Sequence, residues 1–238
     1  MQPIVRPKWL EATFVRRYKR FFADVMLPDG QLLTLHCPNT GSMLHCLVEG
    51  SPCYYSLSDN PRRKLKGTLE LVTSDCGGLV CVNTQRANAL VKELLLQHRL
   101  DELFDYENLK AEQKPPGTSS RIDFLLCGTG QTWLEVKSVT LARQPHLAEF
   151  PDTVTTRGQK HLKELQQLVE AGSRACLLFV VLVQRAERFR IAADLDPLYA
   201  EIATQVAAYG VTMAAIHIEP RPDGFFYAGR LPLDIGPG

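Results

Sequence analysis

The sequence predicts a small β-barrel followed by an α/β unit in which helices cover a sheet, with the change at residues 82/83. Three observations predict it. Short strand-like segments separated by turns run to about Cys81. At Asn83 the apolar period changes from two to that of a helix. Beyond that point helices alternate with strands, one of them the continuous apolar run Ala175 to Val183, which reads as a strand buried on both faces.

Taken in order, Phe14 to Val25 is rich in β-formers, Pro28-Asp-Gly30 is a turn signal, and Leu32 to His36 is the hairpin partner. Cys53–Leu57, Thr68–Val72 and Leu79–Val82 complete about five strands, a number that suits a small closed or partly open barrel. Asn83 or Thr84 can cap a helix whose inner face is Ala87, Leu90, Val91, Leu94 and Leu95. Arg121–Leu126 and Trp133–Val139 are two strands joined by the turn-rich Cys127-Gly-Thr-Gly130. A helix follows from about Arg157 to Glu170, then the strand Arg174 to Val183. Asp196-Pro197 starts another helix, aspartate as cap and proline in the first turn, and Val211 to Ile218 is a last strand.

Composition restricts function further. With 238 residues, 45% hydrophobic and 22% charged, the chain can bury a proper core. A net charge of +1 gives no global basic field, so nucleic acid would have to meet local basic patches. The seven cysteines contain no CxxC pair and sit mostly among apolar neighbours, which favours free thiols and a reducing cytoplasm. The first residues lack the apolar run of a signal peptide, and no stretch reaches the roughly 18 apolar residues of a membrane span.

The chemistry is expected on the two strands around residues 122–139. Period-2 alternation sets Asp123 opposite to Ile122 and Phe124, and Glu135 and Lys137 opposite to Leu134 and Val136. If the apolar set packs on one core, the three polar side chains emerge together, on strands about 4.8 Å apart. Two carboxylates with an intervening carbonyl suit Mg²⁺ or Mn²⁺, and a lysine beside them can stabilise charge developing on a phosphate. The competing reading is a solvated hairpin face with a surface ion pair.

The segments Tyr18–Val25, Leu35–Met43, Arg121-Ile-Asp-Phe124, Glu135-Val-Lys-Ser-Val-Thr140, Phe150-Pro-Asp152 and Thr156–Leu162 resemble, in order and over nearly the whole chain, the motifs of the SfsA (sugar fermentation stimulation protein A) family. The resemblance implies an N-terminal OB-like β-barrel (residues 1–82) that binds DNA. It further implies a PD-(D/E)xK nuclease-like domain (83–238) with a mixed sheet flanked by helices, non-specific DNA binding, and a regulatory link to sugar (maltose) metabolism. Carried over, Asp123 is the central acidic ligand and Glu135 and Lys137 are the (D/E)xK pair. Ile122 replaces the proline of PD, and Pro151-Asp152 follows ExK and so reads as a loop.

Further expectations attach to this frame. A third acid is expected from Glu112 ahead of Glu93, making Asp123, Glu135 and Glu112 the metal set. Gln159 or His161 is expected to face the site from the following helix, and Asn39 and Thr40 to lie on a binding loop. DNA contacts are expected from Arg16, Arg17, Lys19 and Arg20, with Tyr18, Phe21 and Phe22 between them, and from Arg62, Arg63, Lys64 and Lys66. Expected partners are DNA and, as one option, a second copy of the chain. Two functions fit: a Mg²⁺- or Mn²⁺-dependent DNA phosphodiesterase, or a non-catalytic DNA-binding regulator on a nuclease-like scaffold.

Overall fold

A computed structural model describes residues 2–236. Its first strand, β1 (Pro3–Val5), crosses to the far half of the molecule and is taken up below. Strands β2 (Leu10–Tyr18), β3 (Phe22–Met26), β4 (Leu32–His36), β5 (Pro52–Leu57) and β6 (Gly67–Thr73) pair in the order β4-β3-β2-β5-β6. A parallel contact, His36 against Thr68, joins β4 to β6 and closes a five-stranded barrel of OB type. The short β7 (Leu79–Cys81) continues from β6. The Pro28–Gly30 turn forms as its residues require, with Gly30 at φ 82° and Met26 paired with Leu32.

One strand was expected from Phe14 to Val25; the structure has a hairpin. β2 turns at Lys19–Phe21 and returns as β3, with Lys19 and Arg20 both left-handed at φ 48° and 61°. No glycine, asparagine or proline marks this turn, so local sequence gives no signal for it.

The second half is built on a seven-stranded mixed sheet, β1-β16-β15-β13-β10-β9-β8. Its members after β1 are β8 (Asn108–Gln113), β9 (Ile122–Cys127), β10 (Gln131–Val139), β13 (Arg174–Val181), β15 (Thr212–Arg221) and β16 (Gly224–Arg230). The central β10, β13 and β15 run parallel, and β13 is buried along all but its first residue, as its unbroken apolar sequence requires. Helix α1 (Gln85–Leu96) covers one face through Leu90, Val91 and Leu94; α2 (Thr156–Glu170) and α3 (Pro197–Ala208) cover the other through Leu162, Leu165 and Tyr199. A smaller sheet of β11 (Leu141–Gln144), β12 (Leu147–Phe150), β14 (Arg188–Ile191) and β17 (Leu233–Asp234) lies beside it. The helix starts expected from sequence are met. Asn83 accepts from the Gln85 N–H, and Asp196 caps α3 at Tyr199 while also accepting from the Thr155 N–H at the head of α2.

Two polar clamps fix the barrel against the second unit. Glu70, 1% exposed on β6, accepts from Ser56, from Asn83 and twice from Arg86 of α1, at 2.6 and 2.9 Å. Asp152, in the loop after β12, accepts from the Met43 N–H and the Ser42 hydroxyl. Gly41 is required there, because a Cβ would lie 2.4 Å from the Asp152 carboxylate. All seven cysteines are free, and among the described residues no helix is long and apolar enough to cross a membrane.

The Glu70–Arg86 pair sets the position of α1. Arg86→Ala leaves a buried carboxylate with fewer partners and is expected to cost about 3 kcal/mol in urea unfolding. A loss below about 1 kcal/mol would show the pair to be dispensable.

Candidate metal centre

The β9–β10 ladder runs from the Gln131–Cys127 pair to the Leu134–Phe124 pair and ends there. Beyond it the Val136 N–H is met by a side chain: Asp123 Oδ2 accepts it at 2.8 Å. Asp123 Oδ1 accepts from Asn88 Nδ2 of α1 at 2.6 Å. The carboxylate thus caps the point where the two strands part, at the level of Glu135 on the neighbouring strand.

Glu135 is 3% exposed. Its Oε1 takes the Lys137 ammonium at 2.7 Å and the Nδ1–H of His161, a residue also 3% exposed. The other ring nitrogen, Nε2, accepts from Arg157 Nε at 3.3 Å, so the two partners assign the tautomer. Glu135 Oε2 is buried and has no hydrogen-bond partner among the described residues.

Burial, and then the charge of Glu135, push Asp123 up to about 6 from its usual 3.8, against the opposing pull of the Val136 N–H and Asn88. Burial acts on Glu135 in the same direction, but the His161 hydrogen bond and the Lys137 charge outweigh it and hold Glu135 below the ordinary range. Asp123 is therefore the carboxylate left without a cation of its own.

The expected face-sharing of Asp123, Glu135 and Lys137 is present, and His161 joins them. Ile122 differs: it packs with the α2 side, whereas Phe124 packs with the α1 side. Glu112 does not complete the set. It lies on the sheet's edge strand in a left-handed turn (φ 52°) and is exposed to solvent. Glu93 is turned roughly 140° around α1 from Asn88 and makes no contact with the site. Gln159 is spent on the Asp196 carboxylate at 2.9 and 3.1 Å, where it ties α2 to α3. Among the described residues no three His, Cys, Asp or Glu side chains are grouped to hold a metal. The acidic set is two, not three.

The donors present still fit a hard divalent cation. Two adjacent carboxylates, one raised to about 6 by burial and by the charge of the other, and one with a buried, unpartnered oxygen, are short of positive charge. Mg²⁺ and Mn²⁺ are satisfied by one or two protein carboxylates with water and phosphate oxygens completing the shell.

Other expected contact residues divide into two groups. Arg16 pairs with the buried Asp24 at 2.8 Å, and Arg17 donates to the carbonyls of Arg20, Asn39, Gly41 and Ser42. Arg17 is thus occupied in holding the 39–42 loop, and Arg63 donates to Thr68. Lys19, Arg20, Arg62 and Lys64 are exposed. They lie in the β2–β3 and β5–β6 loops, the pair that flanks the nucleic-acid face of OB barrels. Asn39 is buried, with its side chain accepting from the Gly41 N–H, and Thr40 is exposed at the rim of a cleft.

Comparison with known proteins agrees with this architecture. A family model described as the SfsA N-terminal OB domain matches residues 15–82, and one described as the sugar fermentation stimulation protein RE domain matches residues 85–224. The chain belongs to the SfsA family. The structure of Pyrococcus furiosus SfsA in complex with Ca²⁺ aligns with a TM-score of 0.88 at 24% identity, covering 98% of this chain and 99% of that one. At that identity the likeness speaks for the fold: an OB barrel followed by a restriction-endonuclease-like unit.

Asn88 and Arg157 were missed from sequence. An asparagine inside a helix, between Ala87 and Ala89, is a mild local misfit and was the one available signal for Asn88. Arg157 had none.

Because the folded state holds the Asp123 proton more tightly than the unfolded chain does, its contribution to stability is present below about pH 4. That contribution is lost as pH rises through about 6. Wild type minus Asp123→Asn, compared by urea unfolding from pH 4 to 7, is expected to fall by at most about 3 kcal/mol. A flat difference would mean that Asp123 ionises freely.

Proposed function

We propose that this SfsA protein is a divalent-cation-dependent DNA phosphodiesterase, with Mg²⁺ or Mn²⁺ as the working ion. The observation that carries the reading is the under-compensated pair of half-buried Asp123 and buried Glu135, side by side with Lys137 on the same face. That the similar P. furiosus protein was solved with Ca²⁺ supports a divalent ion as ligand here.

Asp123, Glu135 Oε2 and the Val136 carbonyl are the groups that would hold the ion. Bound there, it would supply Lewis acidity and a water of lowered pKa. Asn88 and the Val136 N–H fix the Asp123 carboxylate, and His161 fixes Glu135 through Oε1, which leaves Oε2 for the ion. The Lys137 ammonium is placed to move from Glu135 to a water or a non-bridging phosphate oxygen when substrate enters, and to stabilise charge developing there. Lys19, Arg20, Arg62 and Lys64 on the two barrel loops supply phosphate contacts of the kind that release counterions.

Two observations favour a second reading, a DNA-binding protein that uses this unit only as scaffold: the Lys137 ammonium already occupies one Glu135 oxygen, and no third acid among the described residues is grouped with the pair. Turnover separates the two. With Mn²⁺ and linear, nicked and single-stranded DNA, Asp123→Ala and Lys137→Ala are expected to lose at least about 10²-fold in rate. Calorimetric Ca²⁺ binding should vanish in Asp123→Ala. Equal cleavage by wild type and Asp123→Ala, or none by either, rejects catalysis. DNA affinity that survives Asp123→Ala but falls on charge reversal at Lys19, Arg20, Arg62 and Lys64 would then leave the scaffold reading in place.

A further inference from the structure

Between the barrel and the second unit lies a polar cleft of about 340 Å³. Its barrel wall is the 39–41 loop, and its opposite wall runs from Thr84 at the head of α1, past Ser138 of β10, to Thr156 and Arg157 at the head of α2. Three elements join it to the carboxylate pair. β10 passes from Lys137 to Ser138, α1 from Thr84 to the Asn88 that holds Asp123, and α2 from Arg157 to the His161 that holds Glu135.

The lining is rich in donors and short of acceptors in need of them. Ser138 Oγ is shut off from solvent and has no hydrogen-bond partner among the described residues. Arg157 has no carboxylate partner among them; its Nε is held by His161, which leaves the two terminal amino groups of the guanidinium. The two acids at the rim are already satisfied: Glu149 by Arg143 and Arg190, and Asp152 by Ser42 and the Met43 N–H. Helices of 12 and 15 residues both begin at the cleft, so both point the positive ends of their dipoles at it. On the barrel side, Arg17 carries positive charge behind the 39–42 loop and joins that loop to the exposed basic turn Lys19–Arg20.

We propose that this cleft seats a backbone phosphodiester of nucleic acid next to the one placed at the carboxylates, with Arg157 and the first turn of α2 as its donors. The strand then runs from the Lys19–Arg20 turn, through the cleft, to Asp123 and Glu135. Arg157 acts twice: it contacts the flanking phosphate, and through His161 it positions Glu135. The inference rests on the nucleic-acid reading above and names the seat that reading lacks.

The test is the affinity of a labelled short oligonucleotide, single-stranded or duplex, measured in EDTA so that neither metal nor turnover contributes. Thr156→Asp places a carboxylate in the cleft at a helix start, where it favours the helix, so urea unfolding should show the fold intact. Thr156→Asp and Arg157→Ala are each expected to weaken oligonucleotide binding roughly tenfold or more. Wild-type affinity in both variants overturns the seat while leaving the function proposal standing. A wild type that binds no oligonucleotide in EDTA overturns the seat, and the Mn²⁺ cleavage assay then decides the function proposal separately. Inorganic phosphate bound by wild type and lost in Thr156→Asp, with oligonucleotide affinity unchanged, would make the cleft a small-anion site and also overturn the proposal.

Discussion

Two carboxylates side by side on one face of a sheet, one buried and one half-buried, repel each other, and the structure around Asp123 and Glu135 is an answer to that repulsion. The strands separate after the Leu134–Phe124 pair, which frees the Val136 N–H for Asp123. Asn88 reaches in from α1 on one side and His161 from α2 on the other. Lys137 contributes the one formal charge in direct contact, and it goes to Glu135. The compensation is therefore unequal. Glu135 is held ionised, while Asp123 is left near 6, and one buried oxygen of Glu135 stays unsatisfied. A core arranged for stability alone would place an apolar pair here, since buried ionised groups are seldom the more stable choice. The imbalance leaves the pair short of positive charge.

Every group that manages this imbalance is carried by an element whose position is fixed elsewhere. α1 is set by Glu70 of the barrel through Arg86, and α2 by Asp196, which caps α3 while accepting from Thr155 and Gln159. The barrel is thus a structural partner of the site. Its loop at Gly41, pressed against Asp152, sets the width of the cleft beside the carboxylates.

The elements legible in the sequence were those with a strong local period or chemistry: the Asp196-Pro197 helix start, the apolar β13, and the alternation that aimed Asp123, Glu135 and Lys137 at one face. Three kinds of feature were not legible. The Lys19–Arg20 turn uses left-handed backbone on residues that carry no turn signature. β1 joins a sheet whose other members begin about a hundred residues later, a contact no window can see. The partners Asn88 and Arg157 depend on which way a helix is rotated once packed, so the polar residues guessed from sequence, Glu93 and Gln159, fell on the wrong side of their helices or met a nearer partner. Glu112 failed for a related reason. The edge strand turns left-handed at that residue and carries its carboxylate into solvent.

Charge distribution connects the barrel to this site. A net charge of +1 would suit no polyanion if it were spread evenly. In the folded chain, however, three buried acids are paired internally: Asp24 with Arg16, Glu70 with Arg86, Glu149 with Arg143 and Arg190. Cations on the β2–β3 and β5–β6 loops are left exposed, and the heads of α1 and α2 add their dipoles at the cleft between the two units. On the reading proposed above, such a surface would attract a phosphate chain locally without the long-range field of a strongly basic protein, and its affinity would depend on contact along a defined path. The residues that matter for that path are therefore those without an internal partner, and sequence position alone could not separate Lys19 and Arg20 from the structurally engaged Arg16 and Arg17 beside them.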